Sequence, residues 1–371
     1  MLTFTPSPER FVVEEIPAYA PSGEGPHTFL WIEKRGLTTF DAIARIAAAL
    51  GVAGRDIGYA GLKDKQATTR QWLSINMETL KGSPFPPAPW LGGPSPPAPH
   101  AINMETAAAP AQPLPPLPHV LGPDLTVLAA VRHPNKLRMG HLHGNRFEVV
   151  LTGTAGDDEV AALRARFEDA GANGVPNFYG GQRFGADAAN AARGLALLRG
   201  ERHERDKRKR KLMMSALQSA VFNRALELRA TRGPLTRVIP GDVLKKTDTG
   251  GLFVSTELEV DQRRVDAGEL IPTAPLPGGR EIEPPPGTAA HALEEEAITA
   301  VGATRADFMR LGRDLPGARR PVLLRLADAR FSEEPTDNFN PPEQRAVRLF
   351  FTLPAGGYAT VVVASVTGPT A

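Results

Sequence analysis

A chain of 371 residues, 42% hydrophobic and 23% charged, has the composition of a folded globular protein and room for two domains. Its 43 Lys+Arg nearly cancel 41 Asp+Glu, so the net charge of +2 announces no class of partner and only local clusters of charge can speak to one. The absence of cysteine excludes disulfides, thiolate catalysis and Cys-ligated zinc and fits a reducing cytoplasm, while the lack of a long apolar run excludes a transmembrane helix and the N-terminus lacks a signal-peptide pattern.

Residues 11–16 and 27–33 are rich in β-branched and aromatic side chains and predict short strands. Thr38 and Asp41 have capping-box spacing and open a predicted helix through Ile43, Ile46, Ala47 and Leu50, stopped by Gly51. Strands are predicted at 57–60 and 71–75. Residues 83–118 then hold 13 prolines and one charged side chain, Glu105. Proline interrupts helices and cannot donate to a β-ladder, so this segment is expected to be an extended, disordered insertion. Strands follow at 126–132 and 145–151. A helix is expected at 157–170, with acids in its first turn as the macrodipole prefers. A long helix is expected from Asp206 towards Arg229, with Met213, Leu217, Val221 and Leu228 at helical spacing. Residues 234–320 read as a separate subdomain of short strands, and 322–326, 346–353 and 358–366 as closing strands. Helices and strands mix without βαβ alternation, so the fold class is α+β.

One stretch stands out chemically. In Gly58-Tyr59-Ala60-Gly61-Leu62-Lys63-Asp64-Lys65-Gln66-Ala67-Thr68-Thr69 a strand feeds a glycine turn and then an acid between two lysines. Extended geometry would turn Lys63 and Lys65 to one side and Asp64 to the other. A solvated charged turn is one reading. A carboxylate held to meet a ligand, with lysines gathering phosphates, is the other.

Gly61-Leu62-Lys63-Asp64-Lys65-Gln66-Ala67 resembles the G-x-K-D-[KR]-x-A motif of the TruD family of tRNA pseudouridine synthases. Four more segments resemble that family in its own order: residues 11–16, 137–147, 176–185 and 353–360. Thr5 and Arg10 depart from a lysine and an acid often found before Phe11, and Tyr358 stands where phenylalanine is commoner.

The resemblance implies isomerisation of uridine to pseudouridine in tRNA, at uridine 13 of the D-arm, with Asp64 as the catalytic carboxylate and no cofactor or metal. It implies Phe11, Asn145 and Tyr358 as contacts to the target nucleotide, with Lys63 and Lys65 beside them. Each has a plainer alternative: Phe11 as core, Asn145 as a turn residue, Tyr358 as the resumption of a strand. Phe178, Tyr179, Arg183 and Phe184 read as structural support. Seven Lys/Arg and three acids between Glu201 and Lys211 make a local charge of +4. There Lys207, Arg208, Lys209, Arg210 and Lys211, together with Arg138, are candidate phosphate contacts, or else a solvated helix start. His141 and His143 lack a third ligand, so no metal site is expected.

The expected architecture is a pseudouridine synthase catalytic domain with a mixed, largely antiparallel sheet, from residues 1–175 and 321–371, and an inserted second α+β domain at 176–320. A monomer acting on tRNA in the cytoplasm is expected, since nothing demands assembly or a membrane. Two rivals stand beside it. One is a non-catalytic RNA-binding or RNA-folding protein. The other is a two-carboxylate glycosidase, for which Glu15 is the only motif-matched second acid.

Overall fold

The computed structural model describes residues 1–80, 119–334 and 344–368. The expectation of a disordered insertion at 83–118 lies outside the described residues. The chain divides into two compact units, one from Met1–Ala172 with Leu326–Ala359, the other from Asn173–Arg325 with Thr360–Ala371.

The first unit opens with β1 (Phe11–Pro17), β2 (His27–Arg35), α1 (Thr39–Leu50), β3 (Gly58–Tyr59), β4 (Thr68–Asn76) and α2 (Met77–Leu80). It continues with β5 (His119–Val120), β6 (Leu125–His133), β7 (Leu142–Gly153) and α3 (Asp157–Asn173). β1 alternates strictly, burying Phe11, Val13, Glu15 and Pro17, so one member of its inward row is an acid. β4 is buried along most of its length, as a central strand covered on both faces should be. The expected capping box forms: the Thr38 hydroxyl accepts from the Asp41 amide at 3.1 Å, and the Asp41 carboxylate accepts from the Thr38 amide at 2.9 Å. Gly51 ends α1 at φ 65°, a left-handed conformation open to glycine at little cost. Ile43, Ile46 and Leu50 of α1 pack on Leu30, Ile32, Leu73 and Val127 of the sheet.

The second unit contains β8 (Val175–Pro176), α4 (Asn190–Leu198), α5 (Lys207–Thr231), β9 (Val243–Lys246), β10 (Leu252–Val254), α6 (Leu258–Asp266) and β11 (Leu270–Leu276). Then come α7 (Ala289–Ala300), α8 (Arg305–Met309), β12 (Ala318–Pro321) and β13 (Leu323–Leu324). Three helices therefore lie in a stretch that the sequence presents as short strands. The Phe178–Phe184 motif packs on α5: Asn223 grips the Tyr179 main chain on both sides, at 2.9 and 3.0 Å, and Arg183 reaches Ser219 at 3.0 Å. At Gly194 of α4, any Cβ would stand 2.4 Å from the Met213 carbonyl, so only glycine lets α4 approach α5. Deep in this unit Arg305 is surrounded by four carboxylates: Glu281 at 3.2 Å, Glu283 at 3.7 Å, Glu294 at 3.4 Å and Glu295 at 2.5 Å.

The chain then completes the first sheet with β14 (Ala327–Glu334) and β15 (Arg345–Pro354). The strand order is β14-β15-β7-β1-β4-β2-β6-β5, with β3 paired to β4. Only the β1–β4 pairing is parallel among these, so the sheet is mixed and largely antiparallel. Residues 358–366, expected as a strand from their β-branched content, instead enter helix α9 (Ala359–Thr367). The reason is periodicity: Ala359, Val362, Val363 and Val366 are buried at i, i+3, i+4 and i+7, and packing of that stripe outweighs a modest propensity penalty.

Candidate active site

The segment between β3 and β4 carries Asp64, and side chains remote in sequence hold its backbone. Gln71 Nε2 donates to the Gly61 carbonyl at 3.3 Å, and the Lys63 amide donates to Thr39 Oγ1 at 3.0 Å. The Thr39 hydroxyl donates in turn to Gln71 Oε1 at 3.0 Å. Lys34 Nζ donates to the carbonyls of Asp64 at 2.9 Å and Leu37 at 2.6 Å. The Gly140 amide donates to the Ala60 carbonyl at 2.8 Å, tying the 138–141 turn to the same segment. The Asp64 carboxylate itself is exposed, and its Oδ1 accepts from the Gln66 amide at 2.9 Å, an Asx turn that orients it. The result is an outward carboxylate on a backbone secured from behind.

Lys63 and Lys65 do not share a side. Lys65 is exposed beside Asp64, whereas Lys63 is buried, because the chain turns at Lys65–Gln66 instead of running on extended. Lys63 Nζ pairs with Glu15 Oε2 at 2.8 Å and donates to Asn145 Oδ1 at 2.6 Å. Glu15 Oε1 accepts from the Trp72 amide at 3.2 Å. Burial pushes the Glu15 carboxyl up, and the Lys63 ammonium opposes that shift. Sheet register explains the meeting: Asn145 of β7 lies opposite Glu15 of β1 on one side and Leu353 of β15 on the other.

Gly144, one residue earlier, faces Pro354, and a Cβ there would stand 2.1 Å from the Leu353 carbonyl. The turn leaving β15 is anchored by Ala355 donating to the His143 carbonyl at 2.8 Å, and it delivers Tyr358 with 49% of its surface exposed. Arg138 is exposed in the 138–141 turn. Phe11 is elsewhere in character: it is 4% exposed, stacked on Phe147 at 6.3 Å, which stacks on Phe351 at 5.5 Å. Lys207, Arg208, Lys209, Arg210 and Lys211 are all exposed in the first turns of α5, in the second unit. His141 Nδ1 lies 2.7 Å from the Tyr19 hydroxyl. Among the described residues, no group of three His, Asp or Glu could hold a metal ion.

Hydrogen bonding and strand pairing thus join Lys63, Asn145 and Glu15, while Asp64 is Lys63's neighbour in the chain and is held through Lys34 and the Gln66 amide. Phe11 lies in the core, and the basic run belongs to a different unit. Sequence reading missed Lys34, Thr39 and Gln71. Lys34 had a signal: it follows Thr28, Leu30 and Ile32 at period two, so it sits in the buried row of β2. Also missed were the exposed apolar side chains bordering the loop. These are Leu62 within it, Phe40 next to Thr39, and Met139 next to Gly140, at 57%, 55% and 60% exposure.

Residues 3–83, 109–207 and 203–366 match the sequence profile of a family described as tRNA pseudouridine synthase D (TruD). A tRNA pseudouridine synthase D of Anaeromyxobacter dehalogenans strain 2CP-C is 41% identical over 372 residues, which is 97% of this chain and 91% of the relative. Another, from Thermus thermophilus, is 35% identical over 359 residues, covering 97% and 86%. A crystal structure from Methanosarcina mazei, provisionally assigned as tRNA pseudouridine synthase D, superposes with a TM-score of 0.67 over 96% of this chain and 91% of that one. At 20% identity it speaks for the fold alone. No helix among the described residues is long and apolar enough to cross a membrane.

Proposed function

The chain belongs to the tRNA pseudouridine synthase D family, an isomerase family acting on uridine in tRNA, and from that premise we propose that it modifies uridine 13 of the D-arm with Asp64 as its reacting carboxylate. The observation that carries this reading is the Asp64 segment: an exposed carboxylate on a main chain held by Lys34, Thr39 and Gln71. Such fixing is what a reacting group needs, because misplacement by about 1 Å can cost on the order of a hundredfold in rate.

The reaction breaks the N1–C1′ bond of uridine, turns the base, and joins C5 to C1′; the C5 proton leaves and N1 gains one. Asp64 serves either as nucleophile at C1′ or as base on the sugar, and its geometry suits both. Asn145 is assigned to the uracil edge. Its oxygen accepts from Lys63, so its amide nitrogen is the end left to donate to a base carbonyl. Tyr358 supplies an exposed aromatic face for a base removed from its stack. Lys65 and Arg138 are phosphate contacts near Asp64, and Lys207–Lys211 are contacts from the second unit, all in the cytoplasm where tRNA is modified. Lys63 and Phe11 support the site from below. Lys63 secures Asn145, and Phe11 packs β1 against the Phe147 ring.

A glycosidase reading needs a second carboxylate facing the first across roughly 5–10 Å. Glu15, its motif-matched candidate, has both oxygens committed inside the sheet, to Lys63 and to the Trp72 amide.

The test is pseudouridine mapping on unmodified tRNA incubated with purified protein and no added cofactor. A new pseudouridine at position 13 that disappears with Asp64→Asn is the expected result. Tight RNA binding with no pseudouridine would favour a non-catalytic RNA-binding protein, and pseudouridine that survives Asp64→Asn would remove Asp64 from the chemistry.

A further inference from the structure

A lysine without an acidic partner is an expensive residue to bury, since a charge removed from water costs several kcal/mol unless its surroundings replace the solvent. Lys34 is such a residue. It is 0% exposed, and no carboxylate among the described residues lies within ion-pair distance of it. Its ammonium instead meets two main-chain carbonyls, Leu37 just before α1 and Asp64 in the reacting loop. A methionine of similar length would fill the same row beneath Thr28, Leu30 and Ile32 without that cost. What methionine could not do is bond the Asp64 main chain or set a positive charge beneath it.

We propose that Lys34 is a positioning residue of the reaction, pinning the Asp64 main chain from inside the sheet and holding a cation under the reacting carboxylate. The inference rests on Asp64 being that carboxylate. The groups facing Lys34 are Asp64 and Lys63 from the loop and Asp41 from α1. Burial lowers the Lys34 ammonium to about 8; the Asp64 and Asp41 carboxylates counter that shift, and the Lys63 ammonium adds to it. Lys34 is therefore charged at neutral pH and gives up its proton as pH rises through about 8. A neutral amine keeps two N–H donors but not its charge. Loss of that charge produces an alkaline fall in kcat.

The experiment compares the parent protein with Lys34→Met and Lys34→Arg on unmodified tRNA from pH 6 to 10. It also follows amide hydrogen exchange across residues 61–67. Lys34→Met is expected to lower kcat on the order of a hundredfold with KM for tRNA within about threefold, because Lys34 bonds the Asp64 main chain while most of the proposed RNA contacts, Arg138, Tyr358 and Lys207–Lys211, lie outside the loop. Exchange at the Lys63 and Gln66 amides is expected to rise at least about tenfold. Lys34→Arg keeps a charge that does not titrate below about pH 12, so the part of kcat it restores should no longer fall above pH 8.

A kcat for Lys34→Met within about threefold of the parent overturns the proposal. So does a Lys34→Arg profile with the parent's alkaline fall. If the parent makes no pseudouridine on any tRNA, the family reading of Asp64 has failed instead. The exchange data then decide alone: an unloosened 61–67 segment in Lys34→Met overturns the positioning role. If Lys34→Met does not fold, the Lys34→Arg profile decides between the two outcomes.

Discussion

A buried ion pair contributes less by its own attraction than by what the loss of either partner leaves behind. Glu15 and Lys63 are both nearly inaccessible, and each closes the other's polar needs, together with Asn145 and the Trp72 amide. Glu15→Ala would strand an ammonium inside the sheet and is expected to cost about 3–5 kcal/mol of stability, read by denaturant unfolding. Replacing both partners, Glu15→Leu with Lys63→Met, should recover most of that stability but not the activity, since nothing would then orient the Asn145 amide. A double variant with parental kcat would detach the pair from catalysis. Asp64 contrasts with them: it faces solvent, and Asp64→Asn is expected to abolish turnover while shifting Tm by no more than about a degree or two, as surface substitutions generally do.

At the scale of elements, α5 begins in an unfavourable way. Five consecutive cations occupy its first turns, where the helix macrodipole prefers acids, and only the Asp206 cap answers it, accepting from the amides of Arg208 and Lys209 at 2.8 and 3.3 Å. None of the five forms an ion pair among the described residues. Changing Lys207, Lys209 and Lys211 to Gln should therefore raise Tm slightly. It should also weaken tRNA binding and reduce the slope of log K against log salt by nearly one for each phosphate no longer engaged. An unchanged slope would return the run to solvent. The elements themselves were largely legible. The capping box marked α1, β-branched runs marked β1, β2 and β6, and apolar residues at helical spacing marked α5. Helix α9 was not, because three successive valines speak for a strand while its buried stripe speaks only through spacing. Of the candidate site, the motif pointed to the Asp64 segment, but it placed Lys63 beside Lys65, whereas Lys63 is buried against Glu15 and Asn145. The site was illegible where a side chain acts across the sheet: nothing adjacent to Lys34 or Gln71 says that each ends on the main chain of residues 61–64.

For the whole molecule, stability should depend on pH through the second unit. Glu281 is pushed up to about 8, chiefly by burial; Arg319 and Arg305 oppose the shift, and the neighbouring carboxyls Glu294 and Glu283 reinforce it. Between about pH 4.5 and 8 the folded chain thus holds a proton that the unfolded chain has released, so Glu281's contribution falls as pH rises across that window. Glu281→Gln has no proton to lose, and the Tm difference between it and the parent should move in its favour from pH 5 to pH 8.5. Parallel Tm curves for the two would contradict the assignment of a proton to this carboxyl.

The first sheet is built from both ends of the chain: β7 is flanked by β1 and by β15, which enters only at Arg345–Pro354. During synthesis, then, the ribosome must reach Arg345–Pro354 before β7 acquires its second neighbour and the Tyr358 turn is anchored. Until that moment the nascent protein carries an open strand edge, the kind of surface that pairs with other chains and that chaperones shield. A polypeptide interrupted between Asn76 and Arg345 would carry Asp64, Lys34, Thr39 and Gln71 yet lack β15 and the turn that delivers Tyr358.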